Sequence, residues 1–408
     1  MKLAHSSDWH LGKTLFARPL IDDQKAALTE LKDRLKSENV DVLLLAGDLF
    51  DHSVPPEDAV RLLDQFLTSV VTELGIPVCM IPGNHDSSTR VGAGASLLRS
   101  SGLHVFATPD SIHQPSLFTN DRGKVAVFGI PYLEPGEWGA YFQTEAAVRS
   151  HEEALRLILH ALEPQTHKLR NEGWRIVLML HAYVMGGSVS ESERPLSVGG
   201  SEMVPSELLK PFDYVALGHL HRPQKVSFDH VRYSGSLFPY SQSESDQARG
   251  FVLVDFFKEA PHEQFHFEPF QTTRKLRTIE GPFDDLVKSE ADRLQNGKDK
   301  PQDYVIALIT DSSLPFEAFR RLNTVVPNLL HIGRKSDWKA DSAGASDLLH
   351  RKLQQELSDQ DILRTFMEAA ALDSASEENR ASDLIWLQAM FEKFRDSNKD
   401  SESGVLSP

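Results

Sequence analysis

The chain of 408 residues contains a single cysteine, Cys79. One thiol excludes an intramolecular disulfide framework and any cysteine-based zinc cluster, which fits a reducing compartment. Set in the apolar stretch "IPVCMIP", Cys79 reads as an inert core side chain. No apolar run approaches the roughly 18–20 residues that would span a bilayer, and the opening "MKLAHSSDWH" has no signal-peptide h-region. A cytoplasmic protein without membrane association is expected. Positive charge is also short, since 43 Lys and Arg stand against 59 Asp and Glu for a net charge of −16. That balance excludes a grip on nucleic acid by net charge alone; a polyanionic substrate would need bound cations, local Arg/Lys clusters or a partner. No G-x-x-x-x-G-K-[ST] is present, so the chain is not its own ATP motor.

What is present is globular in composition, with 40% hydrophobic and 25% charged residues, and long enough for one large domain with smaller additions. Up to about residue 235, short β-rich runs alternate with amphipathic stretches, the order of an α/β layered domain. The runs at 3–7, 40–46, 76–81, 125–130, 174–180 and 213–218 are predicted strands, and 22–37, 57–74, 92–100 and 144–162 predicted helices. The segment "QKVSFDHVRYSGS" and the later "RGFVLVDFF" read as antiparallel strands that continue the sheet, and 186–202 as a long Gly/Ser-rich loop. A domain at 1–270 is followed by a βαβαβ pattern at 271–340, read as a small α+β cap. Leu, Phe and Met at helical spacing then mark helices over 341–398, and a tail at 399–408 is expected to be disordered.

Polar residues collect at the ends of the predicted strands: Asp8 and His10 in "SSDWHLG", Asp48 and Asp51 in "GDLFD", and Asn84, His85 and Asp86 in "GNHD". His181 in "LMLHA", and His219 and His221 in "LGHLH", complete the series. In open α/β sheets the carboxyl ends of the strands form the ligand crevice. Carboxylate, imidazole and carboxamide donors together suit Mn²⁺, Fe²⁺ or Zn²⁺. Singly each motif is weak, and a lone histidine after an apolar run is usually structural; five in this order point to a metal site. Trp9 reads as a packing residue, and His5, His104, His113, His151, His160 and His167 as structural or surface histidines.

The ordered set D-x-H, G-D-x-x-D, G-N-H-[DE], H and G-H-x-H resembles the signature of the calcineurin-like metallophosphoesterases. The resemblance implies a sandwich of two mixed β-sheets flanked by helices. It also implies two metal ions bridged by Asp48, with Asp8, His10 and His221 completing one position and Asn84, His181 and His219 the other. Two divalent ions about 3.5–4 Å apart activate water and stabilise an in-line displacement at phosphorus. By the same resemblance His85 reaches the phosphate and Asp86 orients His85; from their own positions, His52 reads as a substrate contact or a turn residue and Asp51 as a loop anchor. Phosphoprotein phosphatases carry an arginine and G-N-H-E where this chain has His52 and Asp86, which disfavours that branch.

"LAHSSDWHLGK", "VDVLLLAGDLFDHSVPP", "IPGNHDS", "DYVALGHLHRPQ" and "HVRYSGSLFPYSQSE" resemble, in order and spacing, segments of the SbcD family of bacterial double-strand-break repair nucleases. That resemblance implies a Mn²⁺-dependent 3′–5′ exonuclease on duplex ends and an endonuclease on single strands or hairpins. It implies a homodimer formed by helices matching 57–74 and 88–100, and an SbcC-like SMC-type ATPase partner held by the C-terminal helices, two copies of each. Arg170, Arg175, Arg194, Arg222 and Lys225 are local candidates for DNA phosphate contacts. A small-molecule or cyclic-nucleotide phosphodiesterase, and a non-catalytic scaffold, are the alternatives; the second would lack ligands, and none is missing.

Overall fold

The computed structural model describes residues 1–190, 193, 203–245, 247–256, 258, 264–271, 274–295 and 302–338. The expected helices over 341–398, the tail, Arg194 and most of the 186–202 loop lie outside the described residues. Met1–Trp338 form one unit.

Two six-stranded mixed sheets face each other. The first has the order Phe265–Pro269, Gly250–Asp255, Lys2–Ser6, Val42–Ala46, Val78–Ile81, Leu103–Val105. Its last four strands run parallel and its first two antiparallel. The second has the order Gln224–Val226, Phe228–Tyr233, Tyr214–Gly218, Arg175–His181, Gly123–Ile130, Ser116–Asn120, parallel across its four middle strands. Both sheets are covered on both faces, which is why their central strands read as unbroken apolar runs. In Val42–Ala46 the period of two is resolved by packing. Val42, Leu44 and Ala46 join Leu3, Val177, Met179 and Ala216 between the sheets, while Leu43 and Leu45 meet the helices outside.

Those helices are Ile21–Ser37 and Glu57–Thr68, which press Leu28, Leu31, Leu62 and Phe66 onto the first sheet. The helix His151–Asn171 covers the second sheet with Leu155, Ile158 and Leu162. Each such side chain contributes about 1.5–3 kcal/mol on burial. The result is a layered order of helix, sheet, sheet, helix. The last helix differs from the predicted 144–162. It starts after Ser150, whose hydroxyl accepts from the Glu153 backbone N–H at 3.2 Å, and it continues through Pro164 to Asn171. Continued burial of Thr166 and Leu169 holds the turn beyond the proline in place. The predicted helix over 92–100 is instead two short turns, Ser88–Val91 and Ala95–Leu98, split at Gly94 with φ of 73°.

The segment after 271 forms a three-stranded sheet, Leu276–Gly281, Tyr304–Ile309 and Leu329–Arg334, with helices Phe283–Gln295 and Ala318–Asn323. All its strands are parallel, so this layer is α/β in detail, where α+β was expected: each of the first two strands is followed by a helix that carries the chain back. It docks through Leu276, Tyr304, Ile306 and Leu308 on Leu15, Leu20, Phe238 and Tyr240. The Tyr304 hydroxyl donates to Asp23 Oδ2 at 2.8 Å. The hairpin Thr14–Leu15/Arg18–Pro19 turns at Phe16 and Ala17, and the Phe16 ring stacks 5.0 Å from that of His331.

Candidate metal centre

Five parallel strands aim their carboxyl ends at one crevice. Lys2–Ser6, Val42–Ala46 and Val78–Ile81 of the first sheet lead to Asp8 and His10, to Asp48, and to Asn84 and His85. Arg175–His181 and Tyr214–Gly218 of the second lead to His181, and to His219 and His221. The side chains meet only because the sheets nearly touch there. A Cβ on Gly218 would lie 1.7 Å from the Ala46 carbonyl oxygen, so only glycine fits at this crossing, although its φ is not left-handed. Asp8, His10, Asp48 and His219 all have positive φ, between 44° and 106°. Non-glycine residues held this way cost about 1–3 kcal/mol each and cluster at functional sites.

The donor atoms form two groups. In one, His10 Nε2 and His221 Nε2 are 3.1 Å apart, and Asp8 closes a trio with them. In the other, Asn84 Oδ1 lies 3.0 Å from His181 Nε2 and 3.3 Å from His219 Nδ1. Asp48 Oδ2 sits between the groups, 3.5 Å from His10 Nε2 and 3.5 Å from His181 Nε2. Donors bound to one ion at about 2.0–2.2 Å lie roughly 3 Å from each other, so both groups fit a divalent cation. Two imidazole nitrogens facing each other at hydrogen-bond distance cannot both carry the proton; a cation satisfies both lone pairs. All seven groups converge, and six of them are buried.

The electrostatics agree with a site built for positive charge. Burial opposes ionisation of Asp48, yet His181 and His10 outweigh it and hold its carboxyl well below the usual range. Burial lowers His181 as well, but the Asp48 carboxylate overrides that and raises it to about 9, drawing a proton to a place a cation would take. Burial pushes His10 down to about 3 and His219 far below its ordinary value, leaving neutral imidazoles. Asp8 is raised to about 6, chiefly by burial.

Other expected roles shift in detail. The acceptor at His85 Nδ1 is the Asp51 carbonyl, at 2.8 Å, where the Asp86 carboxylate was expected. Asp86 instead accepts from the backbone N–H groups of Leu49, Phe50 and Gly83 at 2.9–3.0 Å, because its side chain turns back between the two loops. It clamps the Asp48 loop to the Asn84 loop. His10, Asp51 and His85 also cluster closely enough to hold an ion, but Lys13 Nζ already takes Asp51 Oδ1 at 2.7 Å. Asp51 is thus a loop anchor. His52 stands exposed at the rim, 3.3 Å from Asp51 Oδ2. Trp9 is fully buried, with Nε1–H donated to Ser6 Oγ.

Among the basic candidates, Arg175 begins the strand that ends at His181, about 20 Å from the crevice. It pairs with Asp213, as Lys225 pairs with Asp229. Arg170 donates to the Pro211 carbonyl.

Two residues escaped sequence reading. Glu244 is fully buried, and its Oε1 stands 3.1 Å from His221 Nδ1. Arg249 pairs with Glu244 at 2.8 Å and donates to the His221 carbonyl. A glutamate and an arginine in the polar "SQSESDQARG" look like solvated loop charges.

A family model described as calcineurin-like phosphoesterase matches residues 1–223. The fold and the donor set thus define the chain as a calcineurin-like metallophosphoesterase, a metal-dependent phosphodiester hydrolase. A second model, described as the Type 5 capsule protein repressor C-terminal domain, matches residues 272–370. The SbcD subunit of nuclease SbcCD from Staphylococcus epidermidis is 32% identical over 330 residues, covering 81% of this chain and 84% of that protein. Its counterpart in Staphylococcus saprophyticus is 31% identical over 368 residues, 90% of this chain and 92% of that one. The chain belongs to the SbcD family of nuclease subunits.

Proposed function

We propose that this protein is a Mn²⁺-dependent DNA nuclease with two ions per chain, acting as 3′–5′ exonuclease on duplex ends and as endonuclease on single strands or hairpins. The observation that carries this reading is Asp48 Oδ2, 3.5 Å from the nearest imidazole nitrogen of each donor group. Asp8, His10 and His221 would hold one ion, Asn84, His181 and His219 the other, and Asp48 would serve both. When bound, the ions supply Lewis acidity and a nucleophile at neutral pH. The protein's own groups do the rest. His85, fixed through Nδ1 to the Asp51 carbonyl, presents its other nitrogen to the substrate phosphate, where it stabilises developing charge or protonates the leaving oxygen. Asp86 positions that loop, and His52 at the rim contacts the strand.

DNA affinity at a net charge of −16 needs help, which supports an SbcC-like SMC-type ATPase as partner, bound through 341–398 in a cytoplasmic assembly with two copies of each protein. No helix among the described residues is long and apolar enough to cross a membrane. A groove of about 570 Å³ between Glu57–Thr68 and the turns at 88–101, lined by Val60, Leu63, Leu67 and Leu98, supports homodimerisation on that face.

The test is purified protein with Mn²⁺ on end-labelled duplex DNA and on bis-p-nitrophenyl phosphate, with and without the ATPase. Duplex degradation from 3′ ends is expected. Hydrolysis of the small ester with no DNA cleavage, even with the ATPase added, would favour a small-molecule phosphodiesterase instead.

A further inference from the structure

The two donor groups differ in what stands behind their imidazoles. His221 Nδ1 is hydrogen-bonded to Glu244 Oε1 at 3.1 Å, whereas His10 Nδ1 lies 3.4 Å from Asp51 Oδ1 without a hydrogen bond, that oxygen accepting from Lys13. Behind His181, by contrast, Nδ1 meets the uncharged Ala46 carbonyl at 3.0 Å. Asp8 lies within reach of both groups, clustering with His10 and His221 and also with Asp48 and His181, so the asymmetry lies in what stands behind the rings. A carboxylate accepting the far N–H of a ligand histidine fixes its tautomer and makes the near nitrogen a stronger donor.

Glu244 is built for that task and is not a stray charge. Its oxygens accept from Ser190 Oγ at 3.0 Å, the Tyr240 backbone N–H at 3.1 Å and Arg249 Nη2 at 2.8 Å. Arg249 continues to the His221 carbonyl and to Ser236 Oγ at 2.8 Å, so the pair grips His221 at both ring and backbone. Neither side chain reaches the crevice itself, and both are buried. A buried ion pair adds little net stability. Its place behind a ligand supplies the reason for it.

We propose that Glu244 is a positioning residue for His221 and makes the Asp8–His10–His221 position the tighter of the two metal positions. The inference rests on the two-metal reading above. The experiment titrates Mn²⁺ into the full-length, EDTA-stripped chain by calorimetry, with free Mn²⁺ followed by electron paramagnetic resonance. Wild type should bind in two steps. His221→Ala should erase the tight step and His219→Ala the weak one. Glu244→Gln, which keeps the shape, should weaken the tight step about 10–100-fold and spare the other. Glu244→Asp should recover part of the loss, a response that loss of bulk packing would not give. Unfolding midpoints in urea accompany each titration. If Glu244→Gln does not fold, the His221→Ala and His219→Ala titrations decide which step belongs to which position. Two steps in wild type with the tight one lost in His219→Ala, or left unchanged in folded Glu244→Gln, overturn the inference alone. No Mn²⁺ binding by wild type overturns the two-metal reading with it.

Discussion

The two sheets bring different chemistry to the crevice. The first supplies both carboxylates, Asp8 and Asp48, and the carboxamide of Asn84, with His10 and His85 beside them; the second supplies imidazoles alone, His181, His219 and His221. Neither half holds a complete donor set. The first alone would concentrate negative charge without enough neutral donors, and the second would offer three imidazoles with no charge to balance a dication. The centre is therefore a property of the packing between the sheets, which His5 also reflects. From the first sheet it bonds Tyr214 Oη at 2.8 Å and approaches the Leu217 carbonyl at 3.1 Å, both on the second.

Breaking the shared residue should have the largest effect. Asp48→Ala should release both metals and cut DNA cleavage by at least about 10³-fold, since each ion is worth several kcal/mol of transition-state stabilisation. Metal analysis of the dialysed protein with a duplex assay checks this, and one retained ion would contradict the bridge. Gly218→Ala attacks the contact between sheets without touching a donor. Its methyl would meet the Ala46 carbonyl, and a loss of roughly 2–4 kcal/mol in urea unfolding is expected, with weakened Mn²⁺ binding.

His5 sharpens the comparison through pH. Burial holds it near a pKa of about 3, against about 6.5 unfolded. The folded state thus binds fewer protons, and the stability conferred by neutral His5 is complete above about pH 6.5. It falls by up to about 1.4 kcal/mol per pH unit from there toward pH 3. His5→Gln should flatten the slope of unfolding free energy over that window; an unchanged slope would remove His5 from the account. The smallest effect belongs to the cap. Tyr304→Phe removes the hydroxyl donor to Asp23 and should cost about 1–2 kcal/mol, leaving cleavage of bis-p-nitrophenyl phosphate unaltered.

The polar groups that meet in the crevice were legible because each is written locally, as an apolar run followed by a candidate donor. Val42–Ala46 and "GD" are adjacent in sequence and remain adjacent in the fold. Supports drawn from afar were not legible. Glu244 reaches His221 from 23 residues away, and nothing in its polar neighbourhood announces burial. The family resemblance makes Asp86 the partner of His85, yet the carbonyl of Asp51, 34 residues away, accepts at its Nδ1. Helix ends followed the same rule: Pro164 reads as a stop, and only contact with the second sheet carries the helix past it. In the cap the βαβαβ order was plain, while strand direction depended on how the connections cross.

The left-handed backbone at Asp8, His10, Asp48 and His219 carries a consequence of its own. Exchange of any of the four for glycine would relax the chain and delete a donor in the same stroke, so durability and reactivity pull in opposite directions there. These loops hold the least comfortable conformations at the seam between two otherwise regular layers. A weakened seam should let them go before the strands separate, and such a protein would fall silent while still looking folded.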